Sequence, residues 1–312
     1  MNNLREIKGR LRGIRKNQQI MRAMKMVSAV KLRRIQAVVQ ASRPYAQQLE
    51  ALVQDWLAQP EDSARLGDQA PPERYAQARA LWRSLALQHP LLLRRSVCRR
   101  LWVVISTDRG LCGSLNTNLF RRVQQALRER AGGEGEVALL LIGRKAGDFF
   151  KRAQATAAGF RIEQSFPLAE VQAEIITRQL CDLYRKGQVD QVDLFYAQCK
   201  STLQQIPVQV PFLPVAPSTR KAGGLPKRAR LFEPSSGTIA DELMPRYLAS
   251  RVRQILFEEQ VSEHSARMIM MDRASKNASD MINQIQLDFN KLRQFMITRE
   301  LTDIITGVEA MA

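Results

Sequence analysis

The chain has 312 residues, with 48 Lys+Arg against 30 Asp+Glu and a formal net charge of +18. At 45% hydrophobic it can bury a sizeable core in one or two domains, which excludes wholesale disorder. Four Cys with no C-x-x-C pair and only two His argue against a disulfide scaffold and against structural zinc.

Several other classes recede on the same grounds. No run of 18 apolar residues exists, so no transmembrane helix is expected. No apolar block with a cleavage site follows the basic N-terminus, so no signal peptide is expected, and a cytosolic, reducing compartment is. Aromatic content of 6% is low for a base-stacking platform. The charge is concentrated. Residues 1–40 carry eleven basic side chains and one acid, Glu6. From Arg246 onward nine basic residues face nine acidic ones. One end of the chain is therefore suited to a negative partner: nucleic acid, anionic lipid or an acidic protein surface.

In chain order, Leu4, Ile7, Leu11 and Ile14 step along one helix face, and the stripe then shifts to Met21, Met24, Val27 and Ile35. Pro44 falls inside good helix formers that resume to Leu57, and Gln59-Pro60 ends the segment. Residues 60–100 read as irregular, with a short helix at Tyr75–Leu87. Apolar runs follow at Leu101–Ser106, Val137–Ile142 and Val192–Cys199, separated by helical stretches at Leu115–Arg130, Lys145–Ala157 and Leu168–Lys186. Continuous apolar runs suit strands buried on both faces, and their alternation with helices predicts an α/β layer domain. Ile206–Val215 reads as an edge strand, because Pro207, Pro211 and Pro214 bar a central position. Residues 217–230 read as a basic linker.

From Arg246 to Thr306, 61 residues pass without Gly or Pro. Such a helix would be about 90 Å long, so part of it must project. Apolar residues at 282, 285, 289, 292 and 296, then 297, 301, 304 and 308, step by 3 and 4 as in a coiled coil. The expected fold is a three-layer, Rossmann-like α/β domain inserted between long N- and C-terminal helices that form an antiparallel coiled coil. The boundaries are 1–59 for the first helix, 60–240 for the α/β domain and 241–312 for the second helix.

Chemistry-bearing constellations are sparse. Ser106-Thr-Asp-Arg-Gly-Leu-Cys-Gly-Ser114 follows a predicted strand, yet it matches neither G-x-x-x-x-G-K-[ST] nor G-x-G-x-x-G. A tight strand-to-helix turn is the favoured reading. Cys112 has no His nearby in sequence, and no metal spacing or carboxylate pair stands out. The Met residues at 21, 24 and 26 and at 268, 270 and 271 read as core, although Met also suits surfaces that re-pack. No catalytic residue, cofactor site or metal site is expected. Two other classes compete with a scaffolding part: a basic coiled coil that binds nucleic acid, and an α/β enzyme whose 106–114 loop binds phosphate.

Three blocks carry a family resemblance. The first is Leu4–Lys8, Ile20-Met-Arg-Ala-Met-Lys-Met-Val-Ser-Ala-Val-Lys-Leu-Arg-Arg34 and Ser42–Tyr45. The second is Ser106–Gly113 with Asn116 and Asn118. The third is Glu263, Ala266-Arg-Met268, Ala274, Asn277-Ala278, Asn290–Gln294 and Ile297–Ile305. Together they resemble the gamma subunit of F-type ATP synthase, nearly end to end. The resemblance implies a non-catalytic rotor shaft, one copy per complex, in a ring of three alpha and three beta subunits. It would sit against epsilon and the c-ring of the membrane sector, on the cytoplasmic face of a bacterial inner (plasma) membrane, with no nucleic acid partner. It implies contact with beta through Met24, Lys25, Arg293, Gln294, Thr298 and Glu300, and an apolar tip at Ile304, Ile305, Val308 and Met311. Ser114, Arg299, Glu309 and the basic linker depart from the family pattern.

Overall fold

The computed structural model describes residues 2–58, 89–130, 135–156, 160–168, 171–215 and 236–309. The expected linker at 217–230, the short helix at Tyr75–Leu87 and the tip residue Met311 lie outside the described residues. Helix α1 spans Asn2–Ala58 and runs through Pro44. A short 3-10 turn, Pro90–Leu92, leads to β1 (Arg99–Ile105), α2 (Leu115–Glu129), β2 (Glu136–Ile142), α3 (Arg144–Thr156) and β3 (Arg161–Phe166). Then come α4 (Ala173–Arg185), β4 (Gln191–Cys199), β5 (Gln205–Leu213) and α5 (Ser236–Glu309). The described residues fall into two compact units: Met1–Lys31 with His264–Ala312, and Leu32–Glu263.

In the unit Leu32–Glu263 the sheet order is β3-β2-β1-β4-β5. The first four strands in that order run parallel, and β5 pairs antiparallel with β4. Alternation along the central strands splits their side chains between two cores. Leu101, Val103, Ile105, Leu140 and Ile142 face α4 and stretches of α1 and α5, through Ile176, Leu180, Leu49, Val53, Met244, Leu248 and Val252. Trp102, Val104, Leu139 and Leu141 face α2 and α3, through Leu119, Val123, Ala146 and Phe150. Helices on both faces of a mostly parallel sheet make the doubly wound, three-layer arrangement. The terminal helices thus bracket an inserted α/β domain, as expected.

The differences from the expected elements have physical reasons. β3 was not anticipated. Its sequence, Arg-Ile-Glu-Gln-Ser-Phe, is polar because an edge strand has only partly covered faces. Helix α5 begins at Ser236, ten residues before Arg246, and carries Pro245 inside. The apolar face continues across that proline, with Ala240, Met244, Tyr247 and Leu248 all buried. Helix α4 starts at Ala173, later than Leu168. Leu168 is instead a buried core residue whose N–H bonds to the Asp108 carboxylate.

In the other unit, the α1 positions turned inward are Ile7, Leu11, Ile14, Gln18, Met21, Lys25 and Ser28. These are steps of 4 and 3 throughout, the coiled-coil pattern. The expected shift to Met24 and Val27 occurs only in part, since Met24 is half-buried beside the seam. Val27 is exposed, and the same heptad continues through polar residues. On α5 the matching seam is Met271, Ser275, Ala278, Ile282, Ile285, Phe289, Leu292 and Met296. Lys25 meets Asp272, Gln18 meets Ser275, and Leu11 lies beside 283–290. Numbers that fall on one helix while rising on the other establish an antiparallel pair.

Candidate functional site

Two regions can be examined for function: the coiled coil, and the loops at the carboxyl ends of the strands. The coiled coil is polar at mid-length. The Lys25 ammonium donates to Asp272 Oδ1 at 2.6 Å, and Lys276 approaches Oδ2 at 3.0 Å. These two cations hold the Asp272 carboxyl below the usual carboxylate range. The Gln18 side-chain amide donates to the Ser275 carbonyl at 3.3 Å. Polar groups at seam positions favour one register over its neighbours, because a slip would leave them unpaired. Nearby, burial, followed by the charges of Arg267 and Lys31, pushes His264 down to about 4. Its ring is therefore neutral at ordinary pH.

Lys25 was expected at an intermolecular contact. It makes an ion pair within the chain and keeps 45% of its side chain exposed. Met24 beside it is half-buried. Arg5, Lys8, Arg12, Arg15, Lys16 and Arg22 all face outward. The coiled coil therefore presents a basic flank along α1.

The end of α5 differs from the rest of the seam. Past Met296 every described side chain is exposed. Over 13 residues a helix advances about 20 Å. Ile297, Leu301, Ile304 and Val308 keep the 4-3-4 spacing here, yet each is about half exposed or more. Arg293, Gln294, Thr298 and Glu300 are exposed as well. The Thr298, Thr302 and Thr306 hydroxyls donate to the carbonyls one turn back, at 3.0, 2.9 and 2.8 Å. Their protons are used within the helix and do not point to a partner. The expected tip residues Ile304, Ile305 and Val308 thus form an uncovered apolar stripe.

The residues that sequence reasoning missed are Gln18, Asp272 and Ser275. Carrying the heptad back from Ile282 through Ala278 to Ser275 and Met271 would have found Ser275 and brought Asp272 next to the seam.

In open α/β sheets, ligands bind at the carboxyl ends of the strands. Here those ends are tied together by the Ser106–Ser114 block. The Asp108 carboxylate accepts the N–H of Arg144, the first residue of α3, at 3.0 Å and that of Leu168 at 2.9 Å. The Ser106 hydroxyl donates to the Ile142 carbonyl and accepts the Ala146 N–H. The Asn116 amide donates to the Thr107 hydroxyl at 2.7 Å and to Cys112 Sγ at 3.4 Å. Gly143 has φ +98°, and an added Cβ would lie 2.2 Å from the Ser106 carbonyl oxygen. The block acts as a strand-to-helix staple. Among the described residues no cluster of His, Cys, Asp and Glu could hold a metal ion. No described helix is long and apolar enough to cross a membrane.

A basic antiparallel coiled coil, a bare apolar helix end and a doubly wound domain stapled by its own carboxylate define a coiled-coil protein with an inserted α/β domain. The comparisons with known proteins agree. The family model described as ATP synthase matches residues 3–311. The ATP synthase gamma chain of Heliobacterium modesticaldum is 36% identical over 322 residues, covering 100% of both chains. That of Moorella thermoacetica is 37% identical over 313 residues, again with 100% of both chains covered. Among solved structures, a chain of the Euglena gracilis mitochondrial ATP synthase OSCP/F1/c-ring assembly superimposes with a TM-score of 0.63. It is 18% identical, and the match covers 99% of this chain and 95% of that one. A chain of the Tetrahymena thermophila mitochondrial central stalk/c-ring gives 0.54 at 20% identity, covering 82% and 99%. The chain belongs to the gamma-chain family of ATP synthase.

Proposed function

We propose that the chain is a rotor shaft that couples ion flow through a membrane sector to ATP synthesis or hydrolysis at the catalytic sites of beta subunits, and that it is not itself catalytic. The observation that carries this reading is the apolar stripe Ile297, Leu301, Ile304 and Val308. It keeps coiled-coil spacing on α5 with no described side chain covering it. Such a surface is costly in water and calls for a surrounding sleeve. A sleeve of apolar contacts lacks directional bonds, so it holds a turning helix without fixing its angle. The flank of α1 cations supplies long-range attraction to acidic loops without fixed pairing, which also suits a turning contact.

On this reading Met24, Lys25, Arg293, Gln294, Thr298 and Glu300 meet the beta subunits. Ile304, Ile305, Val308 and Met311 form the tip. One copy stands within three alpha and three beta subunits, with epsilon and the c-ring at the other end. The complex is peripheral at the cytoplasmic face of the inner membrane. Within the two-helix part, backbone hydrogen bonds along each helix and the packed seam between them transmit twist.

Co-expression with alpha and beta subunits, followed by gel filtration and an ATPase assay, tests the proposal. The expected result is a complex with one copy of this chain per three beta, whose ATPase activity depends on it. If the chain elutes alone, or with nucleic acid, the reading fails.

A further inference from the structure

Strand β1 pairs with β4 only as far as Val104 with Phe195. Beyond that point β4 pairs with β5 alone among the described residues, so no strand meets the side of β4 turned away from β5 at Ala197. The free peptide groups of Ala197 are taken by α5. Glu259 Oε2 accepts the Ala197 N–H at 2.8 Å. The Ser262 hydroxyl donates to the Ala197 carbonyl at 2.7 Å. Two side chains three residues apart on a helix thereby make the rung that a neighbouring strand would make.

The rung is held in a dry place. Glu259 and Ser262 are both 0% exposed. Glu259 Oε1 has no hydrogen-bond partner among the described residues. The titratable neighbours are acids. Glu258 and Glu263 lie on α5, and Tyr196 on β4 donates to Glu258. Arg251 acts on Tyr196, whose phenol burial pushes up and keeps neutral. One backbone N–H is too little to stabilise a fully buried carboxylate, whereas a neutral acid loses much less on leaving water.

We propose that Glu259 is a proton-carrying latch: as a neutral carboxylic acid it joins Ser262 in fixing α5 to the unpaired side of β4, and loss of its proton loosens that seat. Burial, with the Glu263 charge adding to it, pushes this carboxyl from 4.5 up to about 8, which sets the window. Between those values the closed seat binds one proton that the open seat does not. Opening therefore becomes easier as pH rises from about 5 to 8 and levels off above that.

The test is hydrogen exchange on the full chain, followed at 191–199 and 252–263 from pH 5 to 9 and corrected for intrinsic rates. The ratio of opening constants, wild type over Glu259→Gln, should rise by up to about tenfold per pH unit to pH 8 and then plateau. Ser262→Ala should open more readily at every pH yet keep the wild-type pH dependence. A ratio that does not change with pH overturns the proposal. If Glu259→Gln does not fold, infrared spectra of carboxyl-labelled protein decide. A protonated-carboxyl band at neutral pH that titrates away near pH 8 supports the latch, and its absence at neutral pH overturns it.

Discussion

Two isoleucines on α5 separate what the seam does for the chain from what the tip does for the complex. Ile282 is 8% exposed in the coiled-coil seam, and Ile304 is 63% exposed near the helix end. Truncation of either to Ala removes three carbons. At Ile282 the transfer term alone is about 2.4 kcal/mol at ~0.8 kcal/mol per buried carbon, and incomplete collapse of the cavity carries such losses to about 2–5 kcal/mol. At Ile304 roughly a third of the side chain is covered, so the transfer loss is under about 1 kcal/mol. Alanine also propagates a helix better than isoleucine by roughly 0.4 kcal/mol, which offsets part of that loss.

In the isolated chain, urea unfolding and hydrogen exchange over 264–296 should therefore register Ile282→Ala strongly and Ile304→Ala hardly at all. In an assembled alpha–beta ring the ranking of effects on ATPase activity should reverse, because a sleeve would bury Ile304. Equal destabilisation of the isolated chain by both variants would refute the seam. Full ATPase activity with both Ile304 and Val308 changed to Asp would refute the sleeve.

The Lys25–Asp272 pair should behave as a register device more than as a stabiliser, since exposed pairs contribute little. Lys25→Glu should loosen the coiled coil, and adding Asp272→Lys should restore it, as read by disulfide trapping between Cys placed at 18 and 275. The sign of its pH dependence follows from the direction of the shift. Asp272 is held below its ordinary value of 3.8, so its contribution is present above that value and is lost as pH falls through the lowered one. Lys25→Ala should remove part of that acid sensitivity through a small loss of stability at neutral pH and none in acid, where the carboxyl is protonated. Gly143→Ala should lower the melting point of the α/β domain sharply, since positive φ costs about 1–3 kcal/mol before the clash with the Ser106 carbonyl is added. Gly110→Ala, where the nearest atom to an added Cβ is 3.9 Å away, should be tolerated.

Legibility in the sequence tracked the chemistry of each position. The seam from Ile282 to Met296 could be read because all five of its predicted residues are apolar. Its α1 counterpart could not be followed past Ile14, where Gln18, Lys25 and Ser28 occupy seam positions and look like surface. The reading drifted instead to Met24 and Val27, which are apolar but sit outside the seam. Central strands announced themselves as apolar runs, whereas β3 carries the polar side chains that a sheet edge allows. Pro245 concealed the first turns of α5, because composition does not reveal that Met244 and Leu248 are anchored in a core on either side of it. The spacing of Ile297, Leu301, Ile304 and Val308 reads as more coiled coil, and only the family resemblance marks these last turns as a tip. The engagement of Lys25 with Asp272 is hidden from the sequence, because an ion pair 247 residues apart depends on helix register.

The Ser106–Ser114 block shows how a loop in a ligand-binding position of this fold can be filled by a side chain of the chain itself. A helix N-terminus at a strand's carboxyl end offers N–H donors and a positive dipole end to an anion. In this chain the anion is Asp108, whose one carboxylate oxygen takes the Arg144 and Leu168 N–H groups together. Removing it should expose the latent site. Asp108→Ala should destabilise the domain by about 1–2 kcal/mol, as for loss of a helix cap. Sulfate should then recover part of that loss, while chloride at equal ionic strength should not, and wild type should show no such preference. Thermal melts of the two proteins in matched salts make the comparison. Equal responses of the two would mean that the Arg144 and Leu168 donors are closed to outside anions even without Asp108. The carboxylate would then be a tie between loops and nothing more. A sulfate-specific recovery would mean that the chain fills with its own side chain the place where related folds hold a phosphate.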